Sequence, residues 1–460
     1  MFPKVSDQWS RISNVLDRLR TRTLELEYAY LGVGNTARLE LGLIAILLLS
    51  HAMVFQTLFS GSTTIRHDNL VWNYPVFVHY FRELAEGQLV TFNFYSRFGE
   101  PFAPYVAQMR LFDPALSLLG VTLWKMSSTP LQAFNWFHYL VGLVHCLGIY
   151  ILLRSYTRFL WVRGILLFSL GLGSVMLSPF QQDGFLNQFL WIPFIAIILR
   201  SLIQKDESPR AWKCLLLGLL IGSSFQSYFF AFNIMFSLGF LGLHFAFYGC
   251  PKVFLRRNHP WRSVGLIFFP LVMMSVLNIY TFVKSRDWIY PARTPPVEQM
   301  RVHGFTKHRI ENVENRDRFS VSQKLQASTG ASSQMWDYIQ MFSPAGNMQL
   351  QDPSTRPVEY TYGRPSEAFL YFGIIPLLIG IFGFTQVRNA SDKIWINLLA
   401  FYFLLGLGHE LGVYTWFSQA YIPLQLVRNP HCLVLFTSMA FLYFVVRGGE
   451  ELGKRLMVVR

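Results

Sequence analysis

Charge is what this sequence has little of. Asp, Glu, Lys and Arg make up 14% of its 460 residues, against about 25% in an ordinary soluble domain. So little charge cannot clothe the surface of a soluble chain in which 52% of the residues are apolar. Acidic residues are the scarcer sign, 26 against 40 basic ones, which leaves a net charge of +14. Cysteine is limited to Cys146, Cys214, Cys250 and Cys432. These lie in or beside apolar runs without metal-ligand spacing, so neither a zinc site nor a disulfide framework is expected. There is no Walker A loop, no G-x-G-x-x-G after a strand, no H-E-x-x-H and no G-x-S-x-G. Nucleotide-driven pumping, Rossmann redox chemistry, zinc proteolysis and serine hydrolysis therefore lack their machinery. Internal repeats and low-complexity tracts are missing as well.

What is present is a series of uncharged apolar runs, each near the roughly 20 residues an α-helix needs to cross the hydrocarbon core. Phe (43) and Trp (12) are abundant, as suits rings that face lipid or sit at its interface. The pattern predicts an all-α polytopic membrane protein of about ten transmembrane helices. They are placed near 39–60, 131–153, 160–178, 185–203, 212–227, 228–248, 264–283, 368–385, 394–409 and 431–447. The stretch 212–248 reads equally as a tight hairpin or as one long helix with a tail. Residues 1–38 carry Trp9, Ile12, Leu16 and Leu19 at helical spacing among arginines, which predicts an amphipathic helix on the cytoplasmic surface. The first apolar run starts too far along for a cleaved signal peptide and is expected to be an uncleaved anchor.

The basic residues orient this arrangement. With the N-terminus inside, the inner segments 1–38, 154–163, 200–213, 250–263, 386–393 and 447–460 hold 23 of the 40 Lys and Arg. The short outer connections 179–184 and 410–430 hold only Arg428. That is the positive-inside pattern for a multi-pass protein of the inner (plasma) membrane with both termini, including the tail 448–460, in the cytoplasm. It accounts for the net charge without nucleic acid, for which no signature exists. Between spans 1 and 2 (61–130) and between spans 7 and 8 (284–367) lie two extracytoplasmic loops too long for mere connections. Function is expected there.

In the first of these loops Asp68 stands out, just beyond the first span in Arg66-His67-Asp68-Asn69. Val76, Phe77, Tyr80, Phe81 and Leu84 follow at helical spacing, predicting a helix on the outer leaflet that stops at Gly87. A carboxylate held at the mouth of a helical bundle can take a proton from an acceptor hydroxyl; equally, Asp is a favoured helix N-cap. Beyond it come Phe92-Asn93-Phe94, Gly99-Glu100-Pro101, Gln108 and Phe112-Asp113-Pro114. This ordered series resembles the first outer loop of the bacterial YfhO-like membrane family, which belongs to the GT-C glycosyltransferases. Tyr371-Phe372-Gly373 before the eighth span and Arg428-Asn429-Pro430 before the tenth resemble that family too. Where the family has a Trp-Asn-Pro-like turn this chain reads Phe92-Asn93-Phe94, and many members are longer.

The resemblance implies an integral membrane enzyme using a polyprenyl-phosphate sugar as donor. The acceptor would be an envelope glycopolymer, glycolipid or protein, met on the outer face. Asp68 would match the family's general base, and the loop 284–367 would help shape the acceptor site. A lipid-linked sugar enters from the bilayer, so its phosphate needs cations at headgroup depth. Arg428, Arg66 and Arg110 are candidates, since a guanidinium can bond two phosphate oxygens; the alternative for each is an interface anchor. His67, Asp183, His431, Glu100 and Asp113 form a second rank. Asp183 also suits a solvated Asp-Gly turn, and Glu100 and Asp113 could join Asp68 around a metal. No cofactor is required by the sequence, and the need for a divalent metal is undecided by it. A transporter or flippase of lipid-linked glycans is the alternative, although the spans contain almost no buried charge of the kind transport paths use.

Overall fold

The computed structural model describes residues 33–62, 73–88, 92–93, 100–101, 106, 111, 113–173, 189–204, 211–223, 230–249, 264–276, 372–406, 413–420 and 433–458. They form an all-α body with one two-residue antiparallel ladder. The first part contains α1 (Val33–Val54), α2 (Gln56–Phe59), α3 (Tyr74–Ala85), β1 (Phe92–Asn93), β2 (Glu100–Pro101) and α4 (Pro114–Met126). The middle contains α5 (Pro130–Arg154), α6 (Leu160–Gly171), α7 (Ile192–Gln204), α8 (Ala211–Ser223), α9 (Phe230–Tyr248) and α10 (Val264–Val276). The last part contains α11 (Ile374–Phe384), α12 (Ala390–Gly406), α13 (Val413–Ala420) and α14 (Val434–Val458). Each of the ten predicted segments holds a helix. Two stretches, Ala37–Val54 and Pro130–Arg154, are long and apolar enough to cross a membrane; six further apolar helices have 10 to 17 residues. The N-terminal amphipathic segment and the loop 284–367 lie outside the described residues.

Local chemistry sets the helix ends. Thr129 accepts a bond from Gln132 N at 3.1 Å ahead of Pro130, which occupies the first turn where its missing N–H is harmless. Asn389 and Asp392 cap α12 reciprocally: Asn389 Oδ1 accepts from Asp392 N at 2.9 Å, and Asp392 Oδ2 accepts from Asn389 N at 3.1 Å. At the end of α3, Gly87 (φ +82°) donates to Leu84 O and Gln88 to Glu83 O, a Schellman stop at the predicted glycine.

Contacts between distant residues fix the direction of each helix. Tyr248 and Ser391 meet, Phe240 lies 5.9 Å from Trp395, and Phe236 lies 6.1 Å from Tyr402, so α9 runs antiparallel to α12. Lys213 at the start of α8 bonds Ser201 near the end of α7. The 212–248 stretch holds two separate helices, α8 and α9, and the residues 224–229 between them lie outside the described residues. Phe189, Phe232 and Phe436, all near predicted outer ends, cluster with ring centroids 4.9 to 6.3 Å apart. Arg154, Arg158, Arg163, Asp392, Arg447 and Glu450 meet at the opposite end. The two ends are called outer and inner below, after the charge pattern.

Helices α11 and α14 run parallel and touch backbone to backbone. A Cβ on Gly383 would overlap the Phe444 carbonyl oxygen, and one on Gly448 that of Ile379. Small residues permit this approach as they do between membrane helices. Helix α14 also continues to Val458, where the sequence predicted a span ending at 447 and then a tail. The extension packs on the middle of the chain: Gly449 leaves room for Val162 and Gly453 for Phe159.

Candidate functional site at the outer end

The outer end is built on the first turns of α5. Gln132 Nε2 donates to Phe59 O at 2.9 Å and Asn135 Nδ2 to Leu58 O at 2.8 Å, so two amides grip the short helix α2. Trp136 stacks on Phe59 at 4.3 Å. Gly61 (φ +70°) sits so close to Thr129 and Gln132 that a side chain there would be both strained and crowded. The stretch 63–72 lies outside the described residues; beyond it, Tyr74 packs edge-on against Phe134 of the same α5 turn, 5.3 Å away.

The aromatic face of α3 is not laid on lipid, as its spacing suggested. Phe77 and Phe81 are fully buried and Tyr80 nearly so, against Phe134, Phe137 and α4. Gly120 of α4 receives the Phe81 ring, which no larger residue would admit. Burial raises the phenol pKa of Tyr80, partly opposed by Ser117, whose hydroxyl lies 3.4 Å away; burial raises that of Tyr74 too. The faces of α4 that remain open carry Leu118 and Met126.

Beyond α3, the Phe92-Asn93 and Glu100-Pro101 elements pair with each other, Phe92 opposite Pro101 and Asn93 opposite Glu100. Asp113 is 3% exposed. Its Oδ1 accepts from Ala115 N (3.0 Å) and Leu116 N (3.4 Å), capping α4, and its Oδ2 accepts from the Trp191 indole at 2.7 Å. That geometry makes Asp113 a cap of α4 and a tie to the start of α7. Glu100 is placed by the backbone ladder. Asp68, His67, Arg66, Arg110, Asp183, Arg428 and His431 lie outside the described residues. Among the described residues no three His, Cys, Asp or Glu side chains gather as a metal would require.

Other polar residues went unnoticed in the sequence. His51, wholly buried in α1, lies 2.8 Å from Gly171 O and 3.1 Å from the Tyr139 hydroxyl through its two ring nitrogens, tying α1 to α5 and α6. At the inner end, Glu40 pairs with Arg154 (2.8 Å) and Arg163, while Glu450 accepts from Thr157 Oγ1 (2.8 Å) and Arg158 N (3.2 Å). Asp392, fully buried, accepts from the Tyr443 hydroxyl at 2.7 Å and from Arg388 N at 2.9 Å. Arg447 Nε lies 3.2 Å from the same carboxylate without alignment for a hydrogen bond, so that contact is an ion pair only. The i, i+3 spacing of Asn389 and Asp392 was the one visible signal among these.

Comparison with family models, curated proteins and solved structures finds no match for this chain.

Proposed function

We propose that this protein is a polytopic membrane glycosyltransferase of the GT-C type, resembling the YfhO-like group. It would move a sugar from a polyprenyl phosphate to an envelope acceptor, with Asp68 as general base. The membrane part of the reading is supported by surface chemistry. Leu41, Leu49, Met53 and Val54 of α1 are 64 to 81% exposed. Phe268, Phe269 and Met273 of α10, and Ile374, Ile375 and Leu378 of α11, are exposed as well. In water such area drives aggregation, whereas lipid solvates it at no penalty. Ten helices of alternating direction, with most of the described Lys and Arg at one end, suit the multi-pass topology.

The observation that carries the catalytic reading is the ordered series in which Asp68 stands, followed by Phe92-Asn93-Phe94, Gly99-Glu100-Pro101, Gln108 and Phe112-Asp113-Pro114. Gly61 and Tyr74, before and after Arg66, His67 and Asp68 in sequence, both meet the first turns of α5. Phe189 follows Asp183 in sequence, and Leu433 follows Arg428 and His431. Phe189 packs against Phe436, one turn beyond Leu433, at 4.9 Å. Described residues that border Asp68, Asp183 and Arg428 in sequence thus share one end of the bundle, where a donor entering from the outer leaflet would present its phosphate.

The test is transfer of labelled hexose from polyprenyl phosphates to a crude envelope fraction by the purified chain in lipid vesicles. The expected result is transfer by the wild type and none by Asp68→Asn at equal folding. Full activity in Asp68→Asn would refute the mechanism. Translocation of a lipid-linked sugar with no new glycosidic bond would select the transporter.

A further inference from the structure

The turn between α5 and α6, Arg154-Ser155-Tyr156-Thr157-Arg158, organises a cluster that the proposed chemistry does not use. Two carboxylates lie inside it. Glu40 takes Arg154 Nη1 on one oxygen and Arg163 Nη1 on the other, and Glu450 takes Thr157 Oγ1 and Arg158 N on Oε2. Lys454 Nζ and Arg158 Nε approach Glu450 Oε1 at 3.5 and 3.9 Å. Thr157 joins the halves, because its carbonyl accepts from Arg163 at 2.9 Å. Arg200 extends the group, stacking 4.1 Å over the Tyr156 ring.

Charge and exposure are divided unequally here. The side chains of Glu40 and Glu450 are 9 and 10% exposed, whereas those of Arg154, Arg158 and Lys454 are 47, 61 and 44% exposed. Among the described residues four cations face two carboxylates, so two positive charges are surplus, and they sit on the outward heads. The inward carboxylates hold one side of each cationic head, which removes much of the ordering penalty that long basic side chains meet on binding an anion. Trp212 and Tyr248, half-exposed near the same end, suit an interfacial belt.

We propose that this cluster is a binding surface for the phosphate of anionic phospholipids in the inner leaflet. The inference needs the membrane reading and is independent of the transferase chemistry, so the two can fail separately. A lipid is favoured over a soluble anion because the cations ring the end of an apolar body whose flanks, on α1 and α11, are lipid-facing.

The experiment uses the full chain in nanodiscs of phosphatidylcholine mixed with equal phosphatidylglycerol, and reads the association of spin-labelled phosphatidylglycerol relative to labelled phosphatidylcholine. Arg154→Gln and Arg158→Gln are chosen because Arg163 and Lys454 still neutralise Glu40 and Glu450 in their absence. Each charge removed should lower the preference on the order of fivefold. Arg455→Gln, whose cation is already paired with Glu451 four residues back, should change it less than twofold. An unchanged preference in the double variant, or equal losses in all three, overturns the proposal. So does displacement of labelled phosphatidylglycerol by inorganic phosphate at matched ionic strength, which would make the occupant a soluble phosphate. A melting temperature equal to wild type shows that the variants fold.

Discussion

Asp113 and Trp191, 78 positions apart in sequence, are joined by a 2.7 Å bond from the indole N–H to a carboxylate that at the same time caps α4. The first outer loop is thereby tied to the start of α7. Removing the carboxylate should free α4 and α7 together. Asp113→Ala loses a cap, about 1 kcal/mol, and a buried bond to a charged group, about 1.5–3 kcal/mol. A clearly lowered melting temperature and a red-shifted Trp emission are expected; Trp191→Phe, which spares the cap, should lower melting less.

The glycine contact between α11 and α14 gives a sharper pair. Gly383→Ala and Gly448→Ala each drive a methyl into a facing carbonyl, so a loss of about 1–3 kcal/mol or more is expected. Gly42, with nothing within 4 Å of its Cβ position, serves as control. There alanine should be neutral or stabilise by up to about 1 kcal/mol through helix propensity. Thermal melting of the three variants in one detergent decides it; equal melting would mean the helices do not touch at glycine.

Asp392 should be intolerant of neutral replacement. Asp392→Ala strips Arg388 N, Asn389 N and the Tyr443 hydroxyl of their acceptor and leaves Arg447 without an ion-pair partner among the described residues. Breaking a buried pair from one side costs about 3–5 kcal/mol. The double variant Asp392→Asn with Arg447→Met should recover much of the loss, since no unpaired charge remains. Failure of the second change to rescue yield or melting would show that the ion pair is unimportant.

Alkali should loosen α3. The folded pKa of the Tyr80 phenol is raised above its ordinary value of 10.0, chiefly by burial. Its contribution to stability is fully present below about pH 10 and is lost as pH rises through the folded value. Docking of α3, followed by hydrogen exchange of its amides, should weaken above pH 10, and Tyr80→Phe should remove most of that dependence.

The helix positions, the stop at Gly87 and the grouping of cations at one end were legible in the sequence because each rests on local patterning. The orientation of α3 was not: its spacing marks an apolar face, but whether lipid or α4 covers that face depends on Gly120, a residue some forty positions away. Asp113 was legible as a polar residue of interest, and its role came only with Trp191. His51 gave no signal, since its partners Tyr139 and Gly171 lie 88 and 120 positions off. The capping pair Asn389 and Asp392 could have been read from spacing alone.

Helix α14 has a consequence for how the chain is made. Thr157 waits for Glu450, 293 positions later. At roughly 5–20 residues per second of synthesis, that is about 15–60 s. During this interval the turn after α5 has Arg158 without its carboxylate, and Val162 and Phe159 lack the glycine surface they pack on. Insertion of the early helices and closure of the bundle are therefore separate events. The ribosome must pass Glu450 before the first half can settle, and a partner that shields this turn in the meantime would act on an unfinished molecule.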